Sequence, residues 1–272
     1  MHLHPAIWRS VCALWLAGAV LSSIAYADGT PAVDSQRPAI AIIIDDMGNQ
    51  RREGLRVINL PAPVACAFLP YSAFSDSLAR EAHTRQKEVM LHLPMQAMAH
   101  EQGNRQQGML TLDMTRQQFL GEFRHAIDAV PHASGLNNHM GSLLTRHPGS
   151  MAWLMQAISD HGDLFFVDSR TTRSTVAEQL ALEHGIPTMA RKVFLDNVAE
   201  TAAVRAQFRL LLAHARRDGT ALGIGHPHPA TLQVLEEELA HLDEQGIQLL
   251  PVASLINRHT RRRSTWQASL SR

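Results

Sequence analysis

The chain has 272 residues, 25 Lys and Arg against 25 Asp and Glu, a formal net charge of +0 and 45% apolar residues. This balance speaks against a nucleic-acid binder, which needs a basic face, and against a strongly charged membrane-surface protein. The length suffices for one large domain with a substantial core.

Residues 1–27 read as a signal peptide: Arg9 precedes the apolar run Val11 to Ile24, and Ala25-Tyr26-Ala27 places small residues at the cleavage positions before Asp28. So short a run suits a signal peptidase better than a membrane span, an uncleaved anchor being the alternative. The expectation is an exported protein, periplasmic or secreted, with no stable membrane insertion after cleavage. Cys12 leaves with the signal, so Cys66 is alone in Val64-Ala-Cys-Ala-Phe68 and reads as an inert core thiol. Residues 28–37 form a polar linker, 38–256 the domain and 257–272 a basic polar tail. That tail, with Arg261-Arg262-Arg263, reads as a solvated or frayed end, or as a contact to anionic lipid or wall polymer.

Within the domain, short apolar runs alternate with helical patterns. The runs are Ala39 to Ile44, Val64 to Leu69, Val89 to Leu93, Gly135 to His139, Leu164 to Asp168, Met189 to Leu195, Ala221 to Gly225 and Ile247 to Val252. Most are short and uniformly apolar, as buried parallel strands are. Helices are predicted from Ser75 to Gln86, from a Thr115/Gln118 capping box through Val130, and over Pro148 to Ile158. Others cover Val176 to Glu183, Glu200 to Arg216 and Ala230 to Leu242, with glycines at 185, 219 and 246 marking their ends. The alternation implies a parallel α/β sheet covered by helices, either a complete or distorted β/α barrel or an open doubly wound sheet. His100 to Gly108 reads as a polar loop on the functional face.

The chemistry-bearing residues gather where apolar runs end. Asp45 and Asp46 follow four aliphatic residues, and two neighbouring carboxylates serve one site only where a strand is ending and twisting. His92 ends a run that Pro94 is expected to terminate, and it reads as a metal ligand or a hydrogen-bonded core residue. Gly135-Leu-Asn-Asn-His-Met-Gly-Ser142 crowds Asn137, Asn138 and His139 into one short strand, with amides suited to sugar hydroxyls or a developing oxyanion. His226 and His228 flank Pro227, where a histidine can protonate a leaving group or complete a metal shell. Asp168 and Asp196 each follow an apolar run and could orient a catalytic histidine or cap the next helix. There is no HExxH, P-loop, strand-linked GxGxxG or Gly-x-Ser-x-Gly.

Taken together, these ordered patches resemble the divergent polysaccharide deacetylase family, the YibQ-like proteins, a distant branch of the NodB-homology carbohydrate esterases. The resemblance runs from about Pro38 to Leu255 and implies a single distorted (β/α) barrel. It implies Asp45 as catalytic base, Asp46 and His92 as metal ligands, and His226 as the acid that protonates the departing amine. The family's second metal-binding histidine falls near Gln96, and its Arg-x-Pro-Tyr motif is replaced by Asn137-Asn-His-Met140. His139 is accordingly expected as the third ligand of one divalent ion, zinc first, with Asn137, Asn138, Asp168 and His228 on the substrate. The implied activity is a hydrolase removing N-acetyl groups from a glycan, peptidoglycan or an exopolysaccharide, metal-bound water attacking the amide carbonyl. The alternative is a non-catalytic glycan-binding or envelope-organising protein on the same fold. No nucleic-acid partner is expected.

Overall fold

The computed structural model describes residues 37–98 and 106–270, the last six of these as backbone only. The expected signal peptide, nearly all of the expected linker and most of the expected polar loop from His100 lie outside the described residues.

Among the described residues the aliphatic runs form nine strands: β1 (Ala39–Met47), β2 (Ala65–Phe68), β3 (Val89–Met95), β4 (Gly135–Met140), β5 (Phe165–Asp168), β6 (Thr188–Ala190), β7 (Val193–Phe194), β8 (Thr220–Gly225) and β9 (Gln248–Leu249). Between them run α1 (Arg51–Ile58), α2 (Ser75–Thr84), α3 (Arg116–Asp128), α4 (Pro148–His161), α5 (Ala177–Glu183), α6 (Thr201–Asp218), α7 (Pro229–Glu238) and α8 (Val252–Leu270). None of these helices is long and apolar enough to cross a membrane.

The strands pair in parallel in the order β6-β5-β4-β3-β2-β1-β8-β7, β9 joining the first residues of β1. β6 and β7 lie at opposite ends of this order, yet only Arg191 and Lys192 separate them. The Arg191 N–H donates to Asp168 O of β5 at 2.9 Å, and the Lys192 N–H to Leu222 O of β8 at 2.8 Å. Two adjacent residues can reach both ends of a sheet only if it is rolled up, so the fold is a distorted barrel and the open doubly wound sheet is excluded. The same closure divides the expected single run Met189 to Leu195 into two short strands.

Strand alternation sorts side chains between two cores. Ile40, Ile42 and Ile44 pack outward under the helices, whereas Ala39, Ala41 and Ile43 join Ala65, Ala67, Met90, Val167 and Ile224 inside the barrel. Alanines recur inside because a small barrel leaves little room there. Val252, Leu255 and Ile256 of α8 plug the bottom. The Glu88 carboxylate accepts from the Val252 and Ala253 N–H groups at 2.5 and 3.0 Å, satisfying the first turn of that helix. The basic tail continues this helix through Leu270 rather than fraying, with Arg261, Arg262 and Arg263 exposed and the first apolar turn seated in the barrel.

Two further expectations change. Pro94 does not end its strand: β3 pairs with β4 through Met95. β2 stops pairing at Leu91, and on that edge the Pro94 carbonyl accepts from the Leu110 N–H at 2.9 Å, so no strand asks for the N–H that proline lacks. Helix α1 has no counterpart among the expected helices, because its sequence, Arg51-Arg-Glu-Gly-Leu-Arg, is charged and holds a glycine.

The capping box on α3 is present, with the Thr115 hydroxyl accepting from the Gln118 N–H and the Gln118 side chain accepting from the Thr115 N–H. Thr115→Ala is expected to cost about 1 kcal/mol, read as a lower denaturant midpoint with unchanged slope. Cys66 is free and buried, and burial pushes its thiol up to about 12. A thiol reagent should label it only after unfolding; labelling of the native protein at the rate of a free thiol would contradict this packing.

Candidate functional site

The inward parity that places Ala39, Ala41 and Ile43 inside the barrel continues to Asp45, at the top of β1. On β3, His92 follows Met90; on β4, Asn137 and His139 take the inward positions; after β8, His226 follows Leu222 and Ile224. Asp46 has the opposite parity, and its positive φ of 53° turns it back over the barrel mouth. The β1–β2 register shifts between Ile44 and Met47 for the same reason. Gly48, at φ +111°, completes the turn where a Cβ would lie 2.0 Å from the Ser75 hydroxyl.

Three atoms converge at this mouth. Asp46 Oδ1 lies 3.0 Å from His139 Nδ1 and 3.3 Å from His92 Nε2, and the two ring nitrogens are 3.1 Å apart. Asp46 Oδ1 is buried yet makes no hydrogen bond of acceptable geometry. Ligands of a tetrahedral ion at roughly 2.0–2.1 Å would stand about 3.3 Å from one another, so one carboxylate and two imidazoles fit a small divalent cation. Asp46, His92 and His139 thus form a group able to hold a metal ion.

The electrostatics favour positive charge at that point. Burial alone would raise the Asp46 pKa, but the imidazoles of His139 and His92 hold it well below the carboxylate range. Burial alone would lower the His92 pKa, and the charges of Asp45 and Asp46 raise it instead. Burial pushes the Asp45 carboxyl up, despite His92 and a hydrogen bond from Asn137.

Asn137 orders this cluster. Its carbonyl faces His92 Nδ1 at 2.9 Å and its amide donates to Asp45 Oδ1 at 2.8 Å and to Ser169 Oγ at 3.2 Å. Such a contact assigns the proton to His92 Nδ1 and leaves Nε2 as a lone pair toward the carboxylates. The neighbouring Asn138 accepts from the Ser169 N–H and donates to Met140 O. Asn137 and Asn138 are 0% and 1% exposed, which corrects the expectation that they bind substrate: they position the groups that line the site.

Asp168 is likewise corrected. Val167 points inward, so Asp168 points toward the helices, and at 1% exposure its oxygens are taken by the Arg170 N–H and the Thr175 hydroxyl. Asp196 is the acid that orients a histidine. Its Oδ1 lies 3.0 Å from His226 Nδ1, and its Oδ2 accepts from the His226 N–H and the Thr231 hydroxyl at 2.6 and 2.7 Å. Burial lowers the His226 pKa, but Asp196, Asp46 and Asp45 together raise it. His226 Nε2 then stands 3.7 Å from Asp46 Oδ2, at the end of the strand that pairs with β1. His228 is exposed beside it, the two rings 5.5 Å apart.

Gln96 is a staple between loops. Its side chain accepts from the Leu112 N–H, while its main chain bonds Leu110, Leu143 and Leu144. Arg191 is absent from the expected site, yet its guanidinium lies 4.9 Å over the Phe194 ring, itself 5.1 Å from the His226 ring. One basic residue after a short strand carries no signal of its own.

Residues 42–256 match the family described as divergent polysaccharide deacetylase. The protein YibQ of Escherichia coli (strain K12) is 36% identical over 218 residues, which cover 80% of this chain and 67% of that one. A protein of Agrobacterium tumefaciens C58 of known crystal structure superposes with a TM-score of 0.78 at 18% identity, covering 83% of this chain and 92% of its own. The peptidoglycan deacetylase PdaC of Bacillus subtilis gives a TM-score of 0.52 at 12% identity, over 88% of this chain and 99% of PdaC. The two structures speak to the fold alone, a NodB-type barrel; the family match spans nearly the whole domain, and the chain belongs to the divergent polysaccharide deacetylase family.

Proposed function

We propose that this protein is an exported, metal-dependent hydrolase that removes N-acetyl groups from an envelope or extracellular polysaccharide. The observation that carries the proposal is the convergence of Asp46, His92 and His139 on one point, beside a buried carboxylate and a carboxylate-oriented histidine. A divalent ion held there supplies Lewis acidity, acidifying water and polarising an acyl oxygen. Zinc suits the donor set, and nickel, cobalt or manganese are chemically close.

The chain's own groups divide the proton work. Asp45 Oδ1 is held by Asn137, and Oδ2 lies 3.5 Å from His92 Nε2, turned toward the mouth. Burial has raised its basicity, which suits it to take a proton from the attacking water. His226 has Nδ1 committed to Asp196, so Nε2 is the nitrogen that faces the site and gives a proton to the departing amine. Its pKa, held above the ordinary imidazole value, keeps that proton available near neutrality. The partner class is a glycan, and His228 is the exposed side chain next to the acid that can meet it.

The test is acetate release from acetylated chito-oligosaccharides and peptidoglycan fragments by the zinc-loaded protein, residues 28–272. Release above a metal-stripped control supports the proposal. Binding of the same glycans without acetate would instead favour the non-catalytic glycan-binding reading.

A further inference from the structure

Several arginines on the helical surface of this protein are paired with carboxylates. Arg56 meets Glu236, Arg80 meets Asp76, Arg85 meets Glu81, Arg205 meets Glu237 and Glu238, and Arg217 meets Asp218. Among the described residues, neither Arg170 nor Arg191 has a carboxylate within ion-pair distance. The loop from Ser169 to Thr175 holds Arg170, Arg173, five hydroxyl residues and no acid.

Arg191 is half-buried and held in place. Its Nε donates to Ser169 O at 2.6 Å and its Nη2 to Arg170 O at 3.0 Å, with the fork stacked over Phe194. Carbonyl partners fix the geometry of a guanidinium without neutralising it. Arg170 reaches the surface from a backbone with φ +49°, and its own N–H is spent on Asp168. Arg191 and Arg170 are direct neighbours through that carbonyl contact, and after burial the charge of Arg170 is the largest influence lowering the Arg191 pKa. Asp168 and Asp45 attract Arg191 from a distance, but the first has both oxygens engaged and the second belongs to the proton-transfer set. A like-charged pair, one member fixed and partly desolvated, one aromatic ring from His226, is a site that an anion would relieve.

We infer that this pair forms a carboxylate subsite, and that the acetamido sugar taken by the mouth carries a carboxylate held between Arg170 and Arg191. The inference rests on the deacetylase reading for the acetamide and on the arginine pair for the charge. A planar guanidinium fork matches a carboxylate two bonds at a time, and the Phe194 ring beside it offers an apolar face to a sugar.

Binding measured by calorimetry on the zinc-loaded protein, residues 28–272, separates the possibilities. The probes are chitotetraose, which is neutral, the peptide-free tetrasaccharide of peptidoglycan, which adds lactyl carboxylates to the same backbone, and tetragalacturonate, which has carboxylates without acetamide. The peptidoglycan tetrasaccharide should bind about tenfold tighter than chitotetraose. That preference should collapse in Arg170→Gln and at about 0.5 M salt, and it should weaken in Arg191→Lys, which keeps the charge and loses the fork. Circular dichroism of each variant confirms folding. Equal affinity for the two acetylated probes, a preference undiminished in both variants, or no binding of any probe would overturn the subsite. Tetragalacturonate binding as tightly as the peptidoglycan fragment would overturn the acetamido part of the inference. Affinity needs no turnover, so absence of acetate release with the preference intact would remove the hydrolase reading and leave the subsite standing.

Discussion

Purified residues 28–272 should carry close to one divalent ion per chain, and His92→Ala and His139→Ala should each strip it. In the proposed site three ligands from three strand ends would hold the ion, and a site left with two would lose most of its affinity. His139 is the sharper test. It is the expected replacement for a histidine that this chain lacks at Gln96, and Gln96 is committed to the Leu112 N–H. If metal, measured by mass spectrometry of the dialysed protein, persists in both variants, the assignment is wrong. Asn137→Ala should give an intermediate result, an affinity about 10–100-fold weaker, because it frees the His92 ring and its tautomer without removing a ligand. A wild-type protein that stays metal-free after reconstitution with zinc would leave the barrel intact and shift the reading to glycan binding.

Much of this site is legible in the sequence, because strand ends in an α/β barrel deliver side chains to one face and a hydrophobic run announces its own end. Asp45, His92, His139 and His226 come to the mouth as their positions suggest. What the apolar runs do not reveal is which face each terminal residue takes. Asp168 and Asp196 look alike in sequence, each an acid after a short apolar run. Val167 packs inside the barrel, so Asp168 faces the helices; Val193 and Leu195 pack outward, so Asp196 faces the site. One residue of register separates a loop cap from the partner of a catalytic histidine.

Other features depend on contacts that no local pattern records. Asp46 reaches the site through a left-handed backbone that aspartate tolerates but does not advertise. The barrel closes on hydrogen bonds from Arg191 and Lys192 to strands distant in sequence, so alternation alone does not choose between a barrel and an open sheet. Asn137 and Asn138 stand out because no apolar core would select them. Their role is found in the hydrogen bonds that hold them: the oxygen and the nitrogen of each amide are engaged inside the protein, and burial keeps both side chains from a sugar.

Asp45→Asn should abolish acetate release, a fall of roughly 10²–10⁴ in kcat, while the protein keeps its metal. The amide preserves the shape and the place beside Asn137 but removes the lone pair that accepts the proton. Asp45 Oδ2 is 3.5 Å from His92 Nε2, outside the trio that converges at 3.0–3.3 Å, so its neutralisation should not open the metal site. Asp196→Asn makes the contrasting case. Asp196 touches no part of the site except His226, Nδ1 and N–H alike, and its charge supports the raised pKa of that ring. Loss of the charge should lower the His226 pKa, so the alkaline limb of the rate profile, where the acid loses its proton, should move to lower pH. Metal content should stay constant. If Asp45→Asn released acetate at the wild-type rate, the base would have to be sought elsewhere. If Asp196→Asn lowered the rate equally at every pH, Asp196 would be a structural anchor for the strand end and His226 would not be the proton donor.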